Sequence, residues 1–282
     1  MRDKFKDFVY EIYKAITRRE MAILPGNLAF FLVLALIPTF TLLVYIASLF
    51  SISIDMVVSL INKVLPTEAA DVVVGIISGK GFDSSVTVFV ILAIVVANNG
   101  TYALVRASNS LYRCESDNEL KNYIKSFIIL IVIMLLFLFL LVVPIFGNNI
   151  LELIKYLGGS NKAILNTIFI FNICKWPLTF LIIYFNVKLL YTMSVSKKIS
   201  SSSTTIGALL TTFLWIIATY IFTYYLGHFA RYDMLYGNLS SIIILMMWIY
   251  MLCYIFVLGI AINSTRYNNM EEDLKKNGEN KN

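Results

Sequence analysis

The sequence is short of charge, histidine, proline and cysteine. Only 14% of its 282 residues are charged, against about 25% in an average soluble domain. In contrast, 59% are hydrophobic, and the mean hydropathy is +0.79. A globule of this size cannot bury so much apolar surface, so much of it must face lipid. This composition excludes a soluble enzyme, a disordered chain and a collagen-like fibre, and it predicts an all-α membrane protein.

Patterns typical of catalysis and of metal or cofactor binding are also missing. The cysteines, Cys114, Cys174 and Cys253, lack the spacing of zinc ligands or of a disulfide framework. No nucleotide-binding loop, nucleophile elbow or zinc-protease motif occurs. The apolar stretches hold no acidic residue well inside them, so paired carboxylates for acid–base chemistry have no candidates there. We therefore predict no enzyme, no metal and no cofactor.

The single histidine, His228, lies near the end of the fifth apolar stretch. With Asp233 it could form a small external site. The surrounding tyrosines, from Tyr224 to Tyr232, favour an aromatic belt at the membrane interface instead.

Six apolar stretches are long enough to cross a hydrocarbon core of about 30 Å as helices. They are residues 23–50, 86–111, 126–146, 163–190, 206–226 and 240–262. Together they define a transmembrane domain over residues 23–262.

Basic residues are distributed unequally between the connections. Residues 1–22, 113–125, 191–204 and 263–282 hold fifteen Lys and Arg (six, three, two and four in turn), whereas the alternate segments hold five. Cytoplasmic loops carry this excess, so both termini are predicted to be cytoplasmic. The same rule explains the net charge of +6 without a nucleic-acid partner.

Three segments flank or interrupt the predicted spans. Residues 1–22 show helical amphipathicity and predict a helix on the cytoplasmic membrane surface, or one packed on the bundle. Residues 51–85 predict an external helical hairpin that lies on the membrane or dips into it. Residues 263–282 are polar and predict a cytoplasmic tail that frays.

Several motifs resemble the YihY/BrkB family in order and spacing. The closing part of the chain carries Tyr232-Asp233, Tyr236-Gly237-Asn238-Leu239, Trp248-Ile249-Tyr250, Leu258-Gly259 and Asn263. Earlier parts carry Leu28-Ala29-Phe30-Phe31 before Pro38, the stretch from Arg106 to Tyr112, and Gly207-Ala208 with Trp215 and Tyr220. The signature residues Pro38, Tyr232, Asp233, Tyr236, Gly237, Trp248, Gly259 and Asn263 are interpreted as structural.

The resemblance implies a six-helix protein of the bacterial cytoplasmic membrane. It also implies links to envelope integrity, serum resistance and transport, together with a ribonuclease label that the residues do not support. The family often has an acidic residue where this chain has Ala261, which argues against proton coupling through such a carboxylate here.

Polar side chains within the apolar stretches are the best candidates for function, because lipid solvates them poorly. Lys175 needs a partner, a wet cavity or an anionic ligand, unless it snorkels to the surface. Asn98 and Asn99 could line a polar pathway or bond across to another helix. Arg106 and Asn109 could contact phosphate, although Arg106 could equally snorkel.

These residues predict a transporter-like or flippase-like protein that handles an anionic or amphiphilic solute. The alternatives are a membrane scaffold for envelope proteins and, least supported, a membrane-bound enzyme. The expected partners are the lipid bilayer, an anionic lipid or small anionic solute, and further copies of the chain.

Overall fold

The protein is described by a computed structural model over residues 10–34, 86–114, 118–133, 180–228 and 232–279, with Pro177 and scattered positions between 55 and 74. Across these residues the chain forms helices and short connections, without a strand. The predicted all-helical class is therefore confirmed for the described part of the chain.

The described α-helices are numbered in chain order. They are α1 (10–16), α2 (24–34), α3 (Val86–Leu111), α4 (119–133), α5 (Phe180–Ser194), α6 (Thr205–His228), α7 (Tyr232–Tyr236) and α8 (Ser240–Glu279). Short 3-10 helices, Arg19–Ala22, Ser201–Thr204 and Gly237–Leu239, precede α2, α6 and α8.

Helix α3 has the bounds predicted for the second apolar stretch, whereas α4 begins at 119 rather than at 126. The earlier start has a local cause. The side chain of Asn118 accepts a hydrogen bond from the backbone N–H of Lys121 at 3.3 Å, which caps the helix. The first turn is polar, so hydropathy alone does not detect it.

The prediction that the polar segment after residue 262 frays is wrong for residues 263–279. Helix α8 continues without interruption to Glu279, and Asn263, Ser264 and Thr265 are buried within the bundle. These polar residues are stabilised by contacts with earlier parts of the chain, which a local hydropathy window does not register.

Helix α8 forms the centre of the described bundle. Every residue from Ile255 to Thr265 is buried, so this part of the helix is covered on all sides. Its apolar residues share one core with Ala15 of α1, Leu28 of α2, Val105 of α3 and Val187 of α5.

The described helices expose apolar residues and bury polar ones. In α4 the exposed side chains include Leu120, Ile124 and Phe127, whereas Asn122 and Ser126 are buried. This is the reverse of the arrangement in a soluble helix, and it matches a helix surrounded by lipid.

Two described helices are long and apolar enough to cross a membrane. They are Ser201–His228 and Ser240–Glu271, and a shorter apolar helix covers Phe180–Ser194.

Segments rich in Lys and Arg meet at one end of the bundle. We call this the basic end, and it comprises residues 10–22, 111–114, 118–125, 195–204 and 264–271. Arg18 donates to Ser264 Oγ at 2.7 Å, and Lys125 donates to the carbonyl of Val195. Lys197 forms an ion pair with Glu271 at 2.7 Å. The side of the membrane that this end faces stays a prediction.

Helix α1 packs on the bundle and also carries an exposed apolar face. Ala15 is fully buried in the core, and Glu11 lies 3.4 Å from Arg266 of α8. Tyr10, Tyr13 and Ile16 point away from the core and are exposed. Of the two interpretations of residues 1–22, the described part therefore supports packing on the bundle.

The described positions between 55 and 74 are helical. Ile61 and Ala70 are buried there, whereas Asp55, Asn62 and Asp71 are exposed. This pattern fits an amphipathic helical segment, and the turn of the predicted hairpin lies outside the described residues.

Candidate functional site

Helix α3 divides the candidate residues between two faces. Asn98 and Asn109 are 1% and 5% exposed, and their separation of eleven residues places them on one side of the helix. Asn99 and Arg106 are exposed on another side, and the Arg106 guanidinium lies 5.9 Å from the ring centre of Tyr102. The structure therefore brings Asn98 and Asn109 to the buried face and leaves Asn99 and Arg106 away from it.

Asn98 makes cross-helix contacts that do not use all of its amide group. Its Oδ1 accepts from Ser126 Oγ of α4 at 2.9 Å and from Thr101 Oγ1 at 3.1 Å. Its Nδ2 is buried and has no hydrogen-bond partner among the described residues. We call Asn98, Thr101 and Ser126 the amide seam.

The Asn98 amide lacks one partner even if its Oδ1 and Nδ2 atoms exchange places, as a count of the neighbouring hydroxyl hydrogens shows. Thr101 Oγ1 also lies 2.9 Å from the Asn98 carbonyl, and Ser126 Oγ lies 2.7 Å from the Tyr123 carbonyl. Each hydroxyl has one hydrogen to donate. Suppose that both hydroxyl hydrogens are donated to these backbone carbonyls. With its Oδ1 and Nδ2 exchanged, the Asn98 amide then donates from Nδ2 to the two hydroxyl oxygens, and Oδ1 is left unpaired. One end of the Asn98 amide thus lacks a partner among the described residues in either orientation.

Asn109, in contrast, has a hydrogen-bond partner at each end of its amide. Its Nδ2 donates to Ser196 Oγ at 2.9 Å, and its Oδ1 accepts from the Ser196 backbone N–H at 2.8 Å. Ser196 Oγ donates in turn to Oδ1 of Asn122 in α4 at 2.9 Å. Asn109 therefore joins α3 to α4 and to the segment after α5.

Helices α6 and α8 approach closely at two glycines. A methyl group added at Gly207 would overlap the carbonyl oxygen of Gly259 and the amide of Asn263. One added at Gly259 would overlap the hydroxyls of Tyr191 and Thr211. Only glycine allows this separation, as is common where membrane helices pack.

Every polar side chain along this approach has a partner. Asn263 Oδ1 accepts from the Gly207 N–H at 2.8 Å, and Asn263 Nδ2 donates to the Thr204 carbonyl at 3.2 Å. The Tyr191 hydroxyl lies 2.7 Å from Thr211 Oγ1 and donates to the Phe256 carbonyl at 2.8 Å. We call Gly207, Gly259, Asn263, Tyr191 and Thr211 the glycine seam.

The signature residues from Tyr232 to Trp248 lie in α7, in the turn after it and in the first part of α8. Gly237 has a φ of 52°, a left-handed conformation that favours glycine in the turn between α7 and α8. The rings of Tyr232 and Tyr236 stack at 6.2 Å. Trp248 is partly buried against two apolar clusters. Asp233 lies in α7.

His228 and the cysteines show no shared site. The imidazole is exposed and stacks on Tyr224 at 4.2 Å, consistent with an aromatic belt. Cys114 and Cys253 are free thiols. No group of three His, Cys, Asp or Glu side chains suited to a metal occurs within the described ranges.

Other candidates lie outside the described residues. These are Lys175, Pro38, Cys174 and the side chain of Asp233. Sequence reasoning did not single out Ser126, Thr101, Tyr191 or Ser196. Thr101 could have been found by its spacing of three from Asn98, whereas Ser126, Tyr191 and Ser196 are recognised only through contacts distant in sequence.

Comparison with known proteins gives a family match over almost the whole chain. The sequence profile of the family described as virulence factor BrkB matches residues 12–282.

Individual relatives agree with this match. A Bacillus subtilis (strain 168) protein named as ribonuclease-like, YfkH, is 27% identical over 91% of this chain and 94% of its own length. A UPF0761 membrane protein of Coxiella burnetii (strain RSA 493 / Nine Mile phase I) is 34% identical over 31% of each chain. Another, from Tolumonas auensis (strain DSM 9187 / NBRC 110442 / TA 4), is 30% identical over 40% of this chain and 33% of its own. No solved structure matches the chain significantly.

Proposed function

Since the chain belongs to the virulence factor BrkB family of membrane proteins, we propose that it handles an anionic or amphiphilic solute as a transporter or flippase does. The proposal includes six membrane-spanning helices in the bacterial cytoplasmic membrane, with both termini in the cytoplasm. The unequal distribution of Lys and Arg supports this orientation.

The observation that supports the proposal most is the incompletely paired amide of Asn98. A buried polar group without a partner costs free energy, so native proteins rarely keep one without a use. Asn98 stands in the middle of α3 among helices that expose apolar side chains. A polar group of the solute is the partner that we assign to it.

A matched pair of neighbouring asparagines tests this assignment. We would reconstitute wild type, Asn98→Ala and Asn99→Ala in liposomes of phosphatidylethanolamine and phosphatidylglycerol, and follow fluorescent phosphatidylglycerol by dithionite quenching. We expect Asn98→Ala to slow movement between leaflets and Asn99→Ala to leave it unchanged, because only Asn98 is buried. Equal effects of the two substitutions would remove Asn98 from the proposed pathway.

A scaffold for envelope proteins is the second candidate, and the exposed face of α1 favours it. Tyr10, Tyr13 and Ile16 are available to a partner while the opposite face of α1 is anchored in the core. If the protein acts as a scaffold, Tyr10→Ser with Tyr13→Ser should abolish envelope integrity in cells. Asn98→Ala should then have no effect.

The proposal assigns no enzymatic activity to the chain. The ribonuclease-like name belongs to the Bacillus relative, and this sequence offers one histidine and no acidic residue well inside its apolar stretches. Degradation of RNA by the purified protein, at a rate that follows the protein through gel filtration, would overturn this part.

A further inference from the structure

A cavity of about 300 Å³ opens at the basic end, away from the amide seam. Its lining includes Lys14, Arg18 and Arg113, together with Glu20, Thr265 and Asn268. Among the described residues, three cationic side chains and one carboxylate therefore line the cavity. The cavity joins α1, the turn after α3 and the polar part of α8.

Arg18 is fixed at the wall of this cavity. Its guanidinium donates to Ser264 Oγ at 2.7 Å and to the Leu111 carbonyl at 3.5 Å. Burial lowers the pKa of Arg18; the charge of Glu20 opposes this shift, and that of Arg113 adds to it. A bound anion would offset both the burial and the repulsion between the two arginines.

Arg113 is held in a conformation that would suit glycine better. The N–H of Arg113 donates to the Ser110 carbonyl at 3.2 Å, and that of Cys114 donates to the Asn109 carbonyl at 2.9 Å, so α3 ends in a Schellman motif. Arg113 has a φ of 51° at the left-handed position of this motif. An arginine there carries backbone strain that glycine would avoid.

Asn268 also belongs to the lining of the cavity. Its Nδ2 is buried and lacks a hydrogen-bond partner within the described part of the chain. A ligand that accepts hydrogen bonds would satisfy it.

We propose that this cavity binds a phosphate group, carried either by the headgroup of an anionic phospholipid or by a soluble phosphate ester. The guanidinium fork matches phosphate oxygens, and the excess of two positive charges among the described lining residues suits a phosphate better than a single carboxylate. Basic pockets at the ends of membrane helices bind lipid headgroups in this way. The site does not depend on solute movement through the bundle.

The test uses the full-length protein in lipid nanodiscs and two probes. In discs of phosphatidylcholine with phosphatidylglycerol, native mass spectrometry measures the phosphatidylglycerol that stays bound. In discs of phosphatidylcholine alone, calorimetry measures binding of sn-glycerol 3-phosphate. Retention in the first experiment identifies the lipid as the source, and heat in the second identifies a soluble ester.

Arg113→Gly separates binding from folding. We expect it to weaken binding of the phosphate probe by about tenfold, the effect of one charge-assisted hydrogen bond. Its melting temperature should equal or exceed that of wild type, because the backbone strain is relieved. Arg113→Lys should restore part of the binding. Should Arg113→Gly melt lower, Lys14→Gln on the exposed side of α1 is expected to show the same loss of binding.

Lys197→Gln is the control, because it removes one positive charge from the basic end outside the cavity. We expect it to leave binding unchanged. An equal loss in Lys197→Gln and Arg113→Gly would mean diffuse surface attraction and would overturn the proposal. Unchanged binding in Arg113→Gly and Lys14→Gln, or no binding of either probe by wild type, would overturn it as well.

Discussion

The glycine seam and the amide seam both place polar groups inside an apolar bundle, but only the first pairs all of them. In the glycine seam, Asn263, Tyr191 and Thr211 each have hydrogen-bond partners, and the backbones of α6 and α8 leave no room for a methyl group. In the amide seam, the buried Nδ2 of Asn98 has no partner among the described residues.

This difference separates polar residues that hold helices together from those available to a ligand. Lipid offers no hydrogen bonds, so a polar group inside a membrane protein needs a partner within the protein, in a bound water or in a ligand. Burial and polarity are common to both seams. What distinguishes them is the number of donors and acceptors left over.

The largest effect is expected from Gly207→Ala. Its new methyl group would overlap the Gly259 backbone, which cannot move aside as a flexible side chain can. Overpacking of this kind costs about 1–3 kcal/mol, and more where backbone must shift. We expect poor recovery of folded protein and a lowered melting temperature in detergent. Tryptophan fluorescence measures the melting temperature.

Gly227→Ala is the matched control on the same helix. Among the described residues, no atom lies within 4 Å of a methyl group added there, and alanine is favoured over glycine in a helix by about 0.5–1 kcal/mol. Its melting temperature should stay level or rise. A similar loss in both variants would show that α6 and α8 do not depend on the close approach at Gly207.

The second-largest loss of stability is expected from Asn263→Leu. This change removes the acceptor of the Gly207 N–H and the donor to the Thr204 carbonyl at a fully buried position. We expect a loss of about 1–2 kcal/mol, because both backbone groups lose a partner. Chemical denaturation in mixed micelles measures it.

The same substitution in the amide seam should behave differently. Asn98→Leu keeps the number and branching of the side-chain heavy atoms and removes an amide that is incompletely paired. Thr101 and Ser126 keep the carbonyls of Asn98 and Tyr123 as acceptors. We therefore expect a change in stability within about 0.5 kcal/mol of zero, with loss of lipid movement. Equal destabilisation at Asn98 and Asn263 would erase the distinction between the two seams.

A small loss of stability that depends on pH and salt is expected from Glu271→Gln, which breaks the ion pair that joins the segment after α5 to α8. The carboxylate of Glu271 raises the pKa of Lys197 above its ordinary value of 10.5. A raised lysine pKa stabilises the fold below the ordinary pKa, and this stabilisation is lost as pH rises through the folded value. The pair is half exposed, so we expect roughly 0.5 kcal/mol at low salt and less at high salt.

A thermal melt at pH 8 and at pH 11 checks this prediction. The difference between wild type and Glu271→Gln should shrink at the higher pH. A difference that is independent of both pH and salt would mean that the carboxylate acts through packing instead.

Sequence reasoning was sufficient for the helical class and for the bounds of α3, because long apolar runs record burial in lipid directly. It failed where a helix includes polar turns. The start of α4 depends on the cap by Asn118, and the continuation of α8 depends on buried Asn263 and Ser264. These residues look solvent-exposed in sequence, and only contacts across the bundle make them part of the core.

The candidate site was predictable to the level of individual polar residues but not to their pairing. Of the adjacent asparagines, sequence indicates that at least one faces protein, and the structure identifies it as Asn98. Whether its amide is satisfied depends on Ser126, 28 positions away. The cavity of the basic end was not predicted, since its lining comes from three separate segments whose charges resemble ordinary cytoplasmic loops.

The contact between Arg18 and Ser264 also sets an order of events during biosynthesis. The two residues are 246 positions apart, so at 5–20 residues per second the ribosome needs roughly 10–50 s to add the second after the first. Throughout that interval Arg18 lacks its hydrogen-bond partner Ser264 on α8. The contacts of α1 with α8 therefore form late in assembly, and a ribosome stalled before α8 would leave the side of α1 that faces α8 uncovered.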